Sequence, residues 1–209
     1  LVFTLVARTC YKSEDKITSS SATKMVKNLI KSGHNAMLEH ETISVKITAD
    51  RGVTHEIVRH RMASYAQEST RYCNYSKGKF DNEIKVISPE WGFGFDANGK
   101  SVSNGLTNTQ FELWKHACEQ AATYYFALIQ AGAQPQLARD VLPNSLASEI
   151  VVTMNIREWR HFLNLRSIGT TGAPHPQMRF IADKILEIFK YRYTPLFEDL
   201  YEKRYKEDK

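Results

Sequence analysis

A compact run of cationic and polar side chains between residues 59 and 71 is the part of the sequence best equipped for chemistry. Arg59, His60 and Arg61 stand in a row, and Arg71 follows after a stretch of hydroxyl and amide side chains. Guanidinium groups hold phosphate through paired, charge-assisted hydrogen bonds. The segment therefore predicts an anion site, and a nucleoside monophosphate suits it.

The triplet by itself does not distinguish a ligand site from a basic, solvated helix end. If the helix that starts near Gly52 continues through the triplet, successive side chains point about 100° apart. Arg59 and Arg61 then cannot serve one flat ligand. We therefore expect these two arginines to reach different ligands or different subunits.

A metal site is the alternative use of the histidines. The side chains with suitable ligand atoms are His34, Glu39, His40, His55 and His60. They lack the HExxH spacing, and the adjacent Glu39 and His40 diverge in direction. We predict no metal, a structural role for His40 and a ligand-stacking role for His34.

Helices must position most of these groups. Apolar residues at helical spacing predict helices at 22–30, 52–61, 111–129, 135–143, 156–166, 181–189 and 195–205, while 2–6 fits a helix or a strand. Alternation predicts a half-buried strand in ETISVKITAD, and IKVISPEW suggests another. SYAQESTRYCNYSKGK is predicted as a loop and GFGFDANGKSVSNGLTN as a hairpin or surface turn, either a lid or a passive turn. The predicted class is α+β, helix-rich around a small, mostly antiparallel sheet.

Composition fits one domain over residues 1–209. Of these residues 42% are hydrophobic, and 28 Lys and Arg exceed 23 Asp and Glu, which favours anionic partners. Three scattered cysteines suggest neither a disulfide framework nor a zinc ribbon. We expect a cytoplasmic protein without a membrane segment.

Several segments follow a known family in order. Arg61 is followed by seven residues and then Ser69, which resembles the signature of the flavin-dependent thymidylate synthases. GHNAMLEH, THEIVRHR, ARDVLPNS and NIREWRHFLNLR resemble further segments of that family. The resemblance runs from ARTCYKS near the start to HPQM near the end, so it covers nearly the whole chain.

The resemblance implies an enzyme of nucleotide biosynthesis, a methyltransferase that makes dTMP from dUMP without a cysteine nucleophile. It implies 5,10-methylenetetrahydrofolate as carbon donor and FAD as hydride carrier, with NADPH as reductant. It also implies a homotetramer whose active sites are shared between subunits, which accounts for two arginines that point apart.

The resemblance further implies roles for single residues. Arg166 is the catalytic residue, because methylation at C5 places transient negative charge on the uracil ring and a guanidinium near N3 stabilises that charge. The residues implied for dUMP are Glu56, Arg59, Gln67, Glu68, Ser69, Thr70, Arg71, Arg139 and Arg166. Those implied for FAD are Arg59, His60, Arg61, Asn155, Arg157, His161 and His175, and His34 is implied as a stacking partner of folate or flavin.

Three alternatives stay open beside this interpretation. Cys73 could attack C6 of the pyrimidine as a thiolate, but it lacks an activating motif, and we expect it to be dispensable. The chain could be a flavoprotein without catalysis. The basic charge and interleaved aromatic residues would also suit a nucleic-acid-binding module, although no standard motif for that function occurs, and we expect no nucleic-acid partner.

Overall fold

The computed structural model describes residues 2–13, 15, 18–89, 93–95, 101–103 and 107–205. The helices are α1 Val2–Tyr11, α2 Ser19–Lys31, α3 Arg51–Ile57, α4 Asn108–Gln130, α5 Pro135–Ala138, α6 Ile156–Leu163, α7 Pro176–Arg192 and α8 Thr194–Tyr205. The strands are β1 Thr42–Asp50, β2 Ala63–Gln67, β3 Phe93–Phe95, β4 Ser101–Ser103 and β5 Ala147–Asn155. The predicted α+β class, rich in helix around a small sheet, is confirmed.

The larger sheet has three strands in the order β1-β5-β2. Ser44 Oγ lies 2.8 Å from Thr153 Oγ1, and Lys46 Nζ lies 2.8 Å from Glu149 Oε1. Residue numbers rise along β1 while they fall along β5, so the two strands are antiparallel. The alternation predicted for β1 is confirmed, since Ile47 and Ala49 are buried whereas Thr42, Ser44, Lys46 and Thr48 are exposed.

Two predictions about this sheet were incomplete or wrong. The central strand β5 was missed, although Ser148, Ile150, Val152 and Met154 alternate as its buried side. Residues Ala63–Gln67 were predicted as loop but form β2. Small and polar residues occupy this edge strand, so the hydrophobic alternation that reveals a strand is weak there.

Other boundaries also differ from the sequence prediction. The strand predicted in IKVISPEW is reduced to one antiparallel bridge between Val86 and Leu146, with Pro89 shortly after it. The ambiguous segment at the start is the helix α1. The predicted hairpin is confirmed, with β3 and β4 paired antiparallel so that Gly94 lies opposite Val102. Much of the surrounding insertion lies outside the described residues, and the choice between a lid and a passive turn stays open.

The chain forms two compact units, each made of separate stretches of sequence. The first unit comprises the described residues of Leu1–Val45, His60–Ser64 and Val152–Lys209, and the second those of Lys46–Arg59 and Tyr65–Val151. A single domain over residues 1–209 stays a prediction. Among the helices of the described residues, none has the length and apolar character needed to cross a membrane.

Aromatic side chains build the core of the first unit. Trp159 and Phe162 of α6 are fully buried, as the sequence predicts. The ring of Trp159 meets the rings of Phe162 and Phe189 edge to face, at centroid distances of 5.6 and 5.2 Å. Such contacts fix the rotation of α6, and the side chains on its opposite face are thereby presented to solvent.

In the second unit, the long helix α4 packs against the loop that follows β2. Tyr125 of α4 is fully buried, its ring contacts Tyr75 at 5.7 Å, and its hydroxyl accepts a hydrogen bond from the Tyr75 backbone N–H over 3.2 Å. A buried tyrosine hydroxyl is stable only with a partner. This contact ties the polar loop to a rigid helix.

Candidate functional site

The arginine-histidine-arginine triplet lies after α3 rather than within it. Asp50 starts the helix by accepting a hydrogen bond from the Val53 backbone N–H over 2.7 Å, and the helix ends at Ile57. The prediction that a helix runs through the triplet is therefore wrong, and the helical angle between Arg59 and Arg61 does not apply. Both arginines are exposed, whereas His60 between them is buried.

Within the first unit, His60 contacts Arg166. Arg166 Nε donates a hydrogen bond to His60 Nε2 over 3.1 Å. An arginine nitrogen always carries its proton, so Nε2 must accept and the imidazole proton must be on Nδ1. His60 Nδ1 lies 3.9 Å from Glu158 Oε1, at the range of an electrostatic contact. The geometry therefore assigns a neutral tautomer to His60.

Burial and charge both keep this imidazole neutral. Burial, then the positive charges of Arg166 and His161, lower the pKa of His60 from 6.5 to about 4. The His60 side chain is only 4% exposed, and its ring meets Phe162 edge to face at 4.9 Å. At neutral pH the residue is thus a fixed hydrogen-bond acceptor.

Arg166 sits on a single π-helical turn, Asn164–Ile168, that continues α6. The turn ends at Gly169, whose φ of 80° lies in the left-handed region, and the Gly169 N–H donates to the Asn164 carbonyl over 3.0 Å. A Cβ at residue 169 would approach the Gly172 carbonyl oxygen to 3.1 Å, so glycine is required here. π-turns within helices are frequent at functional sites.

A network of hydrogen bonds from α7 and α8 stabilises this turn. Ser167 is 1% exposed and donates from Oγ to Asp183 Oδ1 over 2.5 Å. The same carboxylate accepts hydrogen bonds from Arg204 Nε and Nη2 over 3.1 and 2.9 Å. This bidentate contact with Arg204 fixes the carboxylate of Asp183. The carboxylate in turn fixes Ser167, which is next to Arg166.

In the second unit, Gln67 anchors the start of the polar loop. Its Nε2 donates to Thr54 Oγ1 over 3.0 Å and to Ser148 Oγ over 3.1 Å, and both hydroxyl-bearing residues are buried. The Glu68 backbone N–H donates to the Glu149 carbonyl over 2.8 Å. The Gln67 amide donor therefore serves the fold, a role that the sequence did not indicate.

The middle of the same loop positions an arginine. Arg139 Nη1 donates to Thr70 Oγ1 over 2.9 Å, and Thr70 is buried. The loop itself turns tightly, since the Tyr72 and Cys73 backbone N–H groups both donate to the Ser69 carbonyl, over 3.1 and 2.9 Å. Arg139 is thereby fixed beside a loop that carries hydroxyl and guanidinium groups, as an anion site requires.

Arg71 and Glu68 flank this loop with opposite charge. Arg71 is exposed, and its guanidinium carbon lies 5.4 Å from the centre of the Tyr72 ring. Glu68 Oε1 accepts a hydrogen bond from the Tyr75 hydroxyl over 3.2 Å. Burial and the charge of Glu68 raise the pKa of Tyr75, which keeps that hydroxyl protonated as a donor.

An open groove of about 510 Å³ lies on the outer face of α6 in the first unit, lined in part by Arg157, His161, Asn35 and Asn164. Arg157 and His161 are exposed one helical turn apart, as predicted, and Arg157 forms an ion pair with Glu39. The lining is mainly polar and also includes Arg160 and the carboxylate of Glu158. Its guanidinium groups could bind a phosphate-bearing ligand.

Matches to known proteins cover nearly the whole chain. The sequence model of the family described as thymidylate synthase complementing protein matches residues 2–193. The flavin-dependent thymidylate synthase of Geobacter sulfurreducens is 31% identical over 202 residues, which is 93% of this chain and 79% of that protein. The chain belongs to the flavin-dependent thymidylate synthase family. The resemblance inferred from the sequence motifs is thus confirmed.

Another family member and a solved structure agree with this assignment. The flavin-dependent thymidylate synthase of Corynebacterium efficiens is 33% identical over 199 residues, 92% of this chain and 76% of that protein. The crystal structure of a UMP/dUMP methylase from Streptomyces cacaoi, bound with 5-Br dUMP, superposes with a TM-score of 0.75. It is 24% identical and the match covers 94% of this chain and 87% of that one, so it supports the fold.

The residues predicted for the family's ligands fall into both units. The second unit holds Glu56, Arg59, Gln67, Glu68, Ser69, Thr70, Arg71 and Arg139. The first unit holds His34, His60, Arg61, Asn155, Arg157, His161, Arg166 and His175. Within the first, His60 and Arg166 are bonded, and within the second, Thr70 and Arg139 are bonded. The roles of all these residues in ligand binding stay predictions.

Some predicted FAD residues also have structural roles in this family member. Asn155 Oδ1 accepts from the Glu158 backbone N–H over 2.9 Å and so starts α6. His175 Nδ1 accepts from the Gln177 backbone N–H over 3.3 Å at the start of α7. His34 and His40 are exposed, so the structural role predicted for His40 gains no support from burial.

The geometry bears on the thiolate alternative, while the absence of a metal stays a prediction. Among the described residues, no group of three or more His, Cys, Asp or Glu side chains is arranged to hold a metal ion. Burial and the negative charge of Glu68 raise the pKa of the Cys73 thiol. A nucleophilic cysteine needs the opposite shift, so Cys73 lacks the environment of an activated thiolate.

Glu158 is the site residue that the sequence analysis did not identify. Glu158 stands three positions after the N-cap Asn155. A glutamate at this position is typical of a helix start, so the sequence offered no reason to assign it to a ligand site. Its approach to His60 depends on tertiary packing. No sequence period reveals such a contact.

Proposed function

We propose that this chain makes dTMP from dUMP. It uses 5,10-methylenetetrahydrofolate as carbon donor and FAD, reduced by NADPH, as hydride carrier. Membership of the flavin-dependent thymidylate synthase family supports the reaction and the flavin. The observation in this chain that carries the proposal is the guanidinium of Arg166, held by the neutral acceptor His60. The cytoplasm stays the predicted compartment.

Arg166 acts on the pyrimidine ring. Methylation at C5 requires negative charge to develop on the ring, and a fixed guanidinium near N3 and its neighbouring oxygens stabilises that charge in the transition state. The π-turn and the bond to His60 restrict the movement of Arg166. A donor that needs no reorientation during the reaction lowers the barrier more than a mobile one.

The loop around Ser69 to Arg71 binds the nucleotide phosphate in this proposal. Arg139, fixed on Thr70, and the exposed Arg71 supply charge, and Ser69 supplies a hydroxyl and backbone groups. Ser69 Oγ accepts a hydrogen bond from the Arg71 N–H over 3.3 Å. The family resemblance implies that Ser69 binds the substrate and does not act as a nucleophile. Glu56, Arg59, Gln67 and Glu68 complete the proposed dUMP set.

The residues of the first unit suit the phosphate-bearing part of FAD. Arg157 and His161 offer exposed donors along the groove on α6. His60, Arg61, Asn155 and His175 of the first unit also belong to the proposed set, as does Arg59 of the second unit. The buried side chain of His60 leaves its backbone as the group able to contact a cofactor. When bound and reduced, FAD supplies the hydride that converts the transferred carbon to a methyl group.

We also propose the homotetramer that the family resemblance implies. In such an assembly the groups that bind one dUMP molecule can come from different subunits. Two exposed arginines that flank a buried histidine suit this arrangement, since each can meet a different ligand. Sedimentation of the FAD-loaded protein tests the assembly: a tetramer supports it, and a stable monomer that turns over contradicts it.

Product formation tests the function directly. Purified protein is incubated with FAD, NADPH, methylenetetrahydrofolate and dUMP, and dTMP is quantified, with one component omitted in each control. We expect dTMP only in the complete mixture. Flavin binding without dTMP in that mixture would instead support the non-catalytic flavoprotein.

A further inference from the structure

A hydrogen bond from Nε orients the Arg166 guanidinium. The five N–H donors of a guanidinium lie in one plane, so a bond at Nε restricts the rotation of the whole group. In this chain Nε donates to His60 Nε2 over 3.1 Å. The acceptor at this point therefore restricts which way the plane faces.

His60 is itself held on several sides. Its ring packs edge to face on Phe162 at 4.9 Å, and Nδ1 lies 3.9 Å from Glu158 Oε1. The ring of His161 is 6.3 Å away. The charged and titratable groups that face His60 include Arg166 on the π-turn and Glu158 and His161 on α6. A carboxylate on the Nδ1 side favours the tautomer with its proton on Nδ1 and leaves Nε2 as an acceptor.

We propose that His60 is a positioning residue, which sets the guanidinium plane of Arg166 toward the uracil ring through Nε2, and that Glu158 maintains its tautomer. This inference rests on the proposed function, because Arg166 is oriented here to stabilise the negative charge that develops on the uracil ring. It gives the middle residue of the triplet a task different from those of the two exposed arginines. His60 acts through Arg166 and does not touch the reacting atoms.

Two substitutions of His60 distinguish the effect of losing the hydrogen-bond acceptor from the effect of losing side-chain volume. His60→Met fills the space without a comparable acceptor, whereas the His60→Gln amide oxygen reaches about as far as Nε2 and can accept from Arg166. We expect His60→Met to lower kcat for dTMP formation by about tenfold to a hundredfold, since small misplacements of a catalytic group have effects of this size. His60→Gln should recover most of that loss. His116→Met, at an exposed position of α4, is the matched control and should leave kcat unchanged.

A double-substitution cycle tests whether His60 acts through Arg166. In an Arg166→Ala background, His60→Met should cause little further loss of kcat, because the group that it orients is absent. Equal losses in both backgrounds would overturn the proposal. An active holoenzyme whose His60→Met variant keeps its kcat, or whose His60→Gln variant loses as much as His60→Met, would also overturn it.

A measurement without turnover separates this inference from the proposed function. In ¹⁵N-labelled holoenzyme, the Arg166 Nε–H resonance, identified by its loss in Arg166→Ala, should exchange slowly with water in the wild type and in His60→Gln, and faster in His60→Met. Unchanged exchange in His60→Met would overturn the proposal even in an active enzyme. Absence of dTMP from the wild type, with the exchange pattern as expected, would contradict the proposed function while the bond itself stands.

Discussion

Arg166 Nε donates to His60 Nε2 over 3.1 Å, and the two residues are 106 positions apart in the sequence. The bond joins the arginine-histidine-arginine triplet to the helix that starts at Asn155, two segments that resemble the family independently. The triplet therefore contacts Arg166, the residue proposed to stabilise charge on the uracil ring, through its buried histidine. Its exposed arginines remain available to anionic ligands.

Replacing Arg166 should separate cofactor binding from turnover. We expect Arg166→Ala to retain FAD but to lose about a hundredfold to a thousandfold in kcat, the range found when one donor to a developing negative charge is removed. Bound flavin is measured by absorbance and dTMP by chromatography. Arg192→Ala, at an exposed position of α7, is the control. Turnover at the wild-type rate in Arg166→Ala would remove Arg166 from the catalytic role.

Cys73 should be dispensable. Burial and Glu68 raise the pKa of its thiol, so little thiolate forms at neutral pH. We expect Cys73→Ala to keep kcat within about twofold, since nothing in the proposed reaction attacks through sulfur. Loss of dTMP formation in a folded, FAD-loaded Cys73→Ala protein would restore the thiolate mechanism.

Thr70 should contribute to substrate affinity through Arg139. Thr70→Val removes the hydroxyl that accepts from Arg139 Nη1 and preserves the volume of the side chain. We expect the KM for dUMP to rise about threefold to tenfold with a small change in kcat, because one hydrogen bond to a charged group is weakened. Thr70→Ser should stay close to the wild type, and Thr109→Val, at an exposed position of α4, is the control. An unchanged KM in Thr70→Val would show that Arg139 is held by other contacts.

Acid should destabilise the fold partly through His60. The unfolded residue takes up a proton near pH 6.5, whereas the folded one resists protonation until about pH 4. As pH falls between these values the unfolded state binds more protons, so the free energy of unfolding falls, by an amount on the order of 3 kcal/mol over the full interval. Above pH 6.5 both states are neutral at this residue and the effect is absent.

Urea unfolding at pH 7, 6 and 5 measures this contribution. The wild type should lose more stability than His60→Gln as the pH decreases, because other groups titrate alike in both proteins. Parallel losses in the two proteins would show that His60 is not held neutral in the folded state.

Helices were easier to predict from this sequence than the sheet was. Spacing identified α2, α4, α7 and α8 because apolar residues recur in each at helical intervals. The edge strand β2 carries small and polar residues, and its strand character depends on pairing within the sheet. Pairing between segments that are distant in sequence cannot be predicted from a local residue pattern.

The candidate site could likewise be predicted only in part. Residue types and spacing indicated the polar loop as an anion site, because guanidinium and hydroxyl groups bind phosphate, whereas Arg166 and Arg139 were implied by the family resemblance. The bond from Arg166 to His60 and the approach of Glu158 depend on how distant segments pack. The structural roles of Gln67 and Asn155 were likewise not predicted, because they depend on hydrogen-bond partners that only the structure identifies.

The stoichiometry of a single turnover tests the central claim most directly. Holoenzyme reduced without oxygen is mixed with methylenetetrahydrofolate, with or without dUMP, while flavin absorbance and dTMP are followed together. The proposed function predicts reoxidation that requires dUMP and yields about one dTMP for each flavin oxidised. Rapid reoxidation without dUMP, or dTMP formation by protein that has no flavin, would contradict it.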